Sequence, residues 1–301
     1  MPVQFTSGKL VLSHPKGPVV EVLLYGASVI SWKSGTKSKP ELSERLFVSQ
    51  KAALDGSKPV RGGIPVVFPC FGAPIHPDHA HLSQHGFARN SVWSWDGTLT
   101  DEEEYVSIKL TLQPMEAIAA VYSKPFLLTY VVTLSEFDLK TDLHVQNTSS
   151  SDDNLEFHAL FHNYIRAPSA DVIVGPLQGF TYYDKTEPTE EGKSTPKVEA
   201  RPGVDVKKFT DSVYENTNGK YEVTWSGGGL DITAKNLKDV VVWNPQEAGR
   251  KIGDMEENGW ENFVCVEPGY VRGFVNLEPG GSWTGGQTLS VIHEERRLTN
   301  L

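Results

Sequence analysis

Tyr105-Val106-Ser107-Ile108-Lys109-Leu110-Thr111-Leu112 sets valine, isoleucine and leucine at every second position, with polar or smaller residues between. A period of two sends alternate side chains to opposite faces of an extended chain, so this stretch reads as a half-buried antiparallel strand. The same alternation returns in Leu128–Leu134 (Leu128, Tyr130, Val132, Leu134) and in Leu139–Val145 (Leu139, Thr141, Leu143, Val145). Further strand-like runs stand at Val19–Tyr25, Val29–Trp32, Leu155–Ile165, Tyr221–Trp225, Val240–Trp243, Asn262–Val266 and Thr288–Ile292. Gly35-Thr36, Asp96-Gly97, Asn218-Gly219 and Gly227-Gly228-Gly229 read as turns between them, and the acidic run Asp101–Glu104 as a solvated turn. Short helices are expected only at Ser49–Leu54 and Asp205–Tyr214. Many short strands in a chain with 27 Gly and 19 Pro point to an all-β fold, a large antiparallel β-sandwich. No shift in composition divides the chain, so one domain is expected over 1–301. Asp184–Val204, rich in Thr, Glu, Pro and Lys, reads as a long loop, and the tail after Ile292 as polar and loosely held.

Charge and composition remove several classes of function. The chain carries 28 Lys+Arg against 38 Asp+Glu, a formal charge of −10, which argues against a nucleic-acid partner. No apolar run approaches the roughly 20 residues of a membrane span, and Met1–Leu10 lacks the layout of a secretory signal. A cytoplasmic protein with no membrane partner is therefore expected. Cys70 and Cys265 have no CxxC spacing and read as two buried free thiols. Asn147-Thr148-Ser149 matches a glycosylation sequon, silent in a protein that is not secreted.

Four segments depart from a plain sandwich. Val60-Arg61-Gly62-Gly63-Ile64-Pro65 puts an arginine among glycines and apolar residues, where glycine admits close backbone approach to a ligand and arginine offers a planar fork of donors. Ser83-Gln84-His85-Gly86-Phe87-Ala88-Arg89-Asn90 gathers amide, imidazole and guanidinium within six residues, a set suited to sugar hydroxyls or phosphate. The nearby His76, His79 and His81 lack a second ligand set, so no metal is expected. In Glu156–Tyr164 a strand would place Glu156, His158, Leu160, His162 and Tyr164 on one face and Phe157, Ala159, Phe161 and Asn163 on the other. The pattern does not choose between His158 and His162 as a proton donor. Asn262–Tyr270 runs as an apolar strand to Glu267, with Pro268-Gly269 expected to turn the chain next, a setting that raises a carboxyl pKa and suits a general base. No GxSxG, P-loop or dinucleotide fingerprint is present. The combination points to cofactor-free proton transfer on a polar small molecule.

Together these segments resemble the glucose-6-phosphate 1-epimerases, or hexose-6-phosphate mutarotases, of the aldose 1-epimerase superfamily, and most closely its fungal members. The resemblance is carried by Leu54–Pro65, Gln84–Asn90, Leu160-Phe161-His162-Asn163-Tyr164, Val241-Val242-Trp243-Asn244-Pro245 and Cys265-Val266-Glu267-Pro268-Gly269, with Tyr25-Gly26-Ala27 and Ser31-Trp32, and runs through essentially the whole chain. It implies a sandwich of the galactose mutarotase type, with His162 as catalytic acid and Glu267 as catalytic base. His158 then becomes a supporting residue. Substrate contacts carry over to Arg61, Gln84, His85 and Arg89, and to Asp211 or its neighbour Asp205. Asn163 departs from the pattern, where a small or β-branched residue is expected, and its side chain should point away from the cleft. The implied reaction interconverts the α and β anomers of a hexose 6-phosphate without metal or cofactor. Glu267 as carboxylate and His162 as imidazolium would act on opposite sides of the anomeric centre, and Arg61 and Arg89 would grip the phosphate. A monomer is expected. The alternatives are an aldose 1-epimerase for unphosphorylated sugars and a non-catalytic sugar-phosphate-binding sandwich.

Overall fold

The structure is a computed structural model that describes residues 2–293; the expectation for the tail lies, from residue 294 on, outside the described residues. Its strands form three antiparallel sheets. A nine-stranded sheet runs in the order Val204–Asp205, Ile173–Gly175, Lys220–Trp225, Gly228–Lys235, Ser282–Val291, Asp138–Asn147, Phe126–Ser135, Tyr105–Leu112 and Ser94–Asp101. An eight-stranded sheet runs Lys197–Val198, Thr181–Asp184, Thr210–Tyr214, Asp239–Asn244, Phe263–Leu277, Leu155–Phe161 and Val66–Val67, with Tyr164–Arg166 paired to Phe263–Leu277 off that path. Five strands from Val3–Thr6 to Ser43–Glu44 make the third.

The alternating stretches fill the space between the two large sheets. Val106, Ile108, Leu110 and Leu112, then Phe126, Leu128, Tyr130, Val132 and Leu134, then Leu139, Leu143 and Val145 are all buried in one cluster. Phe157, Ala159 and Phe161 enter the same cluster from the eight-stranded sheet, and the Tyr130 and Phe161 rings meet at 6.0 Å. The sandwich and its inner faces thus follow the period-two pattern. Cys70 and Cys265 are buried free thiols.

The eight-stranded sheet is covered on its outer face too, which explains where the expectations fail. Thr210–Tyr214, expected as a short helix, is a strand between Thr181–Asp184 and Asp239–Asn244, and Asp205 pairs with Ile173 in the other large sheet. Its Thr and Val are β-branched and sit well on a pleat buried on both faces, a burial that overrides the polar appearance of the segment. Ser49–Leu54 is a turn rather than a helix, with Ala52 N–H donating to Ser49 O. Asp96-Gly97 is not a hairpin turn but a register shift inside Ser94–Asp101. The loop expected over Asp184–Val204 contains a short helix at Glu190–Ser194 and a strand at Lys197–Val198.

Asn163 interrupts the strand between Phe161 and Tyr164 and turns toward the core, as expected. Its amide donates to Val266 O at 2.9 Å and to Gln287 Oε1 at 2.7 Å, and Gln287 Nε2 donates back at 2.7 Å. Both residues are fully buried, so neither amide has water to fall back on. Gln287→Leu should therefore lower stability by about 1–3 kcal/mol in urea titration, the cost of leaving buried amide groups unpaired.

Candidate active site

Two backbone arrangements place the acid–base pair. The first holds His162 at the strand interruption. His162 N–H donates to Pro65 O and Tyr164 N–H to Gly63 O, tying the break to the Arg61–Pro65 segment. Gly62 and Gly63 have φ of +127° and +68°, and a Cβ there would lie 2.4 Å from Phe47 O and 2.1 Å from Val29 O. The glycines therefore admit neighbouring backbone rather than a ligand, which corrects the expectation drawn from sequence. Their effect on the site is indirect, because they seat Arg61 beside His162.

The second arrangement holds Glu267 in the middle of Phe263–Leu277, paired with Val241. Pro268-Gly269 does not turn the chain; the strand continues through it. Gly269 serves close packing instead, since a Cβ on it would meet Leu160 Cβ at 2.8 Å. Val264 and Val266 point into the sandwich, so Cys265 and Glu267 face outward, toward His162.

His162 Nδ1 and Glu267 Oε1 are 3.3 Å apart. The two groups stand side by side. That adjacency suits a hemiacetal, whose two oxygens share one carbon. His162 is 9% exposed and Glu267 1%. His162 lies flat on the Tyr164 ring, 4.7 Å between centroids and 7° between planes, with the edges of Trp243 and His85 at 5.9 Å.

A cavity of about 330 Å³ opens above the pair. Arg61, Gln84, His85 and Asp211 line it, with Phe71, Lys185, Val241 and Trp243. Thr210–Tyr214 brings Asp211 opposite Trp243, while Asp205 stands in the other sheet, so Asp211 is the acid at the cavity. Arg89 is not brought to the wall. Its guanidinium donates to Gln84 O, and its charge reaches His162, His85 and Glu267. His158 accepts a bond from Phe71 N–H and stacks on Phe274 at 4.1 Å, buttressing the wall rather than entering it. His76 pairs with Glu156 and His79 Nε2 meets Glu156 O. Lys185 and Trp243 were not singled out from sequence as contacts. Trp243 lay in a recognised motif, whereas Lys185 came from a loop without one.

Burial pushes the His162 pKa well below its ordinary 6.5, with His85, Arg89 and Arg61 adding repulsion. Burial raises the Glu267 carboxyl well above 4.5, helped by Asp211 and opposed by Arg89. Burial thus pushes both groups of the free site toward their neutral forms, away from imidazolium and carboxylate. Either arrangement holds one proton between two groups 3.3 Å apart, and His162 Nδ1 has no hydrogen-bond partner in the free site. Burial likewise lowers His85 to about 3 and raises Asp211 to about 6. Arg61 keeps its charge against burial because the Tyr164 hydroxyl and Asp254 hold it at 3.1 and 3.0 Å. His162, Cys265 and Glu267 also offer nitrogen, sulfur and carboxylate donors within 4.8 Å of one another. A dication there would meet the same repulsion from Arg61 and Arg89 that already depresses His162.

A histidine–carboxylate pair under a polar cavity, on a large antiparallel sandwich, is suited to acid–base chemistry on a polar small molecule. The comparisons agree. The aldose 1-epimerase family model matches residues 8–290. A protein of Cenchrus ciliaris provisionally named glucose-6-phosphate 1-epimerase is 30% identical, over 94% of this chain and 84% of its own length. A Salmonella typhimurium protein with the same provisional name is 28% identical, over 87% of this chain and 82% of its own. A crystal structure from Salmonella typhimurium, provisionally titled a mutarotase, superposes with a TM-score of 0.81 at 24% identity, covering 95% of this chain and 90% of that one. The chain belongs to the aldose 1-epimerase family and is an epimerase of the mutarotase kind, with the galactose mutarotase-like sandwich expected of it.

The one-proton state sets the pH dependence. Burial holds the His162 pKa well below 6.5 and the Glu267 pKa well above 4.5, so the free imidazole resists charging through the ordinary histidine range. Because these are properties of the free site, kcat/KM for an unphosphorylated sugar should stay level as pH falls through the ordinary histidine range and drop only below it. A sigmoid loss centred at the ordinary histidine pKa of about 6.5 would contradict this.

Proposed function

We propose that the chain interconverts the α and β anomers of glucose 6-phosphate and related hexose 6-phosphates. The observation that carries the phosphate is the pair of cationic side chains, Arg61 and Lys185, lining one cavity of a chain whose net charge is −10. Lys185 makes no ion pair among the described residues, and its charge is felt at the half-buried Asp211. A sugar phosphate, repelled by the molecule as a whole, needs such local attraction. The provisional names of the relatives from Cenchrus ciliaris and Salmonella typhimurium point the same way.

In this reading the shared proton passes from Glu267 to His162 as the sugar binds. Glu267, now carboxylate, takes the proton of the anomeric hydroxyl while His162 gives its proton to the ring oxygen. The C1–O5 bond breaks, its electron pair stays on O5, and O1 becomes the aldehyde oxygen. Rotation about C1–C2 presents the other carbonyl face. O5 then attacks C1, Glu267 returns a proton to O1, and His162 recovers the one from O5. No electrons change hands, so the chemistry calls for acid and base alone. Arg61, Gln84, His85 and Asp211 bind the sugar, Trp243 offers it an aromatic edge, and Arg89 acts through its field. We also propose that the chain works as a single unit over 1–301, as a monomer, in the cytoplasm. One core cluster running from Val3 to Val291 supports the first of these.

The engagement of Arg61 by Asp254 and Tyr164 favours a second reading, an epimerase of unphosphorylated sugars. Polarimetry of freshly dissolved α anomers separates the two. Glu267→Gln should abolish catalysis, with at least about a 10²-fold loss, and leave the fold intact. Lys185→Ala should raise KM for glucose 6-phosphate about fivefold, the size of one rim charge, and leave glucose turnover unchanged. Equal turnover of both sugars by the unsubstituted protein would establish the second reading.

A further inference from the structure

Three side chains in contact join the cationic side of the cavity to the acid. Arg61 Nε donates to Asp254 Oδ1 at 3.0 Å, and Arg61 Nη1 donates to the Tyr164 hydroxyl at 3.1 Å. The Tyr164 ring in turn lies parallel to the His162 ring, 4.7 Å away. Tyr164 is 2% exposed and is not part of the cavity wall, so it reaches the sugar only through its neighbours. It has little room to move. Trp243 meets it edge-on at 6.0 Å and Phe263 at 5.2 Å, while its own backbone N–H is held by Gly63 O, two residues from Arg61. Trp243 also meets His162 edge-on, so the phenol and imidazole rings are packed as one unit.

We propose that Tyr164 is a positioning residue that couples capture of the substrate phosphate at Arg61 to the placement of the His162 imidazole. The proposal rests on the phosphate reading above. Its physical basis is that the phenol oxygen can follow Arg61 only by tilting a ring that carries His162 on its face. A tightly packed pair transmits such a shift rather than absorbing it. Electrostatics act in the same direction. Arg61 opposes a proton on His162, and a phosphate drawn to Arg61 offsets that charge, so the acid becomes charged as the phosphorylated sugar arrives. Phosphate would then serve catalysis as well as binding, since its binding energy is used to set up the proton transfer.

The test divides the substrate into pieces. D-xylose is the same ring without the sixth carbon, and phosphite dianion stands for the missing phosphate. With the full-length protein, anomer exchange of xylose should accelerate saturably as phosphite is added. Tyr164→Phe keeps the ring and removes the acceptor for Arg61. It should cut the phosphite acceleration about tenfold, leave phosphite-free xylose exchange within about twofold, and lower kcat for glucose 6-phosphate about tenfold with KM little changed. Tyr164→Phe with full phosphite acceleration and unchanged kcat would overturn the coupling while leaving phosphate specificity in place. An unsubstituted protein that ignores phosphite and turns over glucose and glucose 6-phosphate equally would overturn the phosphate reading itself.

Discussion

The contact between His162 Nδ1 and Glu267 Oε1, 3.3 Å long and nearly closed to solvent, is the constraint around which the rest of the site is built. Burying two titratable groups is costly unless they share protons and neighbours. Here burial drives both toward their neutral forms, and the cost is reduced because the pair needs only one proton between them. The same feature makes the pair useful. Opening a hemiacetal moves one proton off one oxygen and one onto its neighbour, and a pair that holds one proton and one vacancy can do this in both directions.

The architecture follows from keeping that pair in place. A sheet with one wet face would leave Glu267 in water with an ordinary pKa. Covering both faces of the eight-stranded sheet lets Val264 and Val266 enter the sandwich while Cys265 and Glu267 stay buried on the other side. The break at His162-Asn163 then swings the imidazole over the carboxyl, and the Asn163–Gln287 amide pair fixes the break from the core side. Arg61, Arg89 and Lys185 bring positive charge to a cavity in an acidic protein, while Asp211 keeps the local balance from becoming purely cationic.

How much of this was legible in the sequence depended on how many faces each strand buries. Where one face meets the core and the other is more open, as in Leu128–Leu134, alternation reads directly and names the core residues. Where both faces are covered, the period disappears. Phe263–Leu277 reads as an apolar run ending at Glu267, and Thr210–Tyr214 does not read as a strand at all. Arg61, Gln84, His85, Arg89 and Glu267 stand out by residue chemistry, whereas the choice of His162 over His158 and the acid at Asp211 or Asp205 come from motif resemblance. Of the residues chosen, all but Arg89 line the cavity, and Asp211 rather than Asp205 is the acid there. Partnerships across the fold were out of reach: Arg61 meets Asp254 at a separation of 193 residues, and Lys185 reaches the cavity only because its sheet neighbours carry Asp211.

The central claim is that this buried pair exchanges anomers of a phosphorylated hexose. NMR exchange spectroscopy on the α and β anomeric protons, with protein far below sugar, measures that exchange at equilibrium without coupling enzymes. The account predicts strong acceleration for glucose 6-phosphate and much weaker acceleration for glucose. No acceleration for either sugar, from a folded protein, would contradict it.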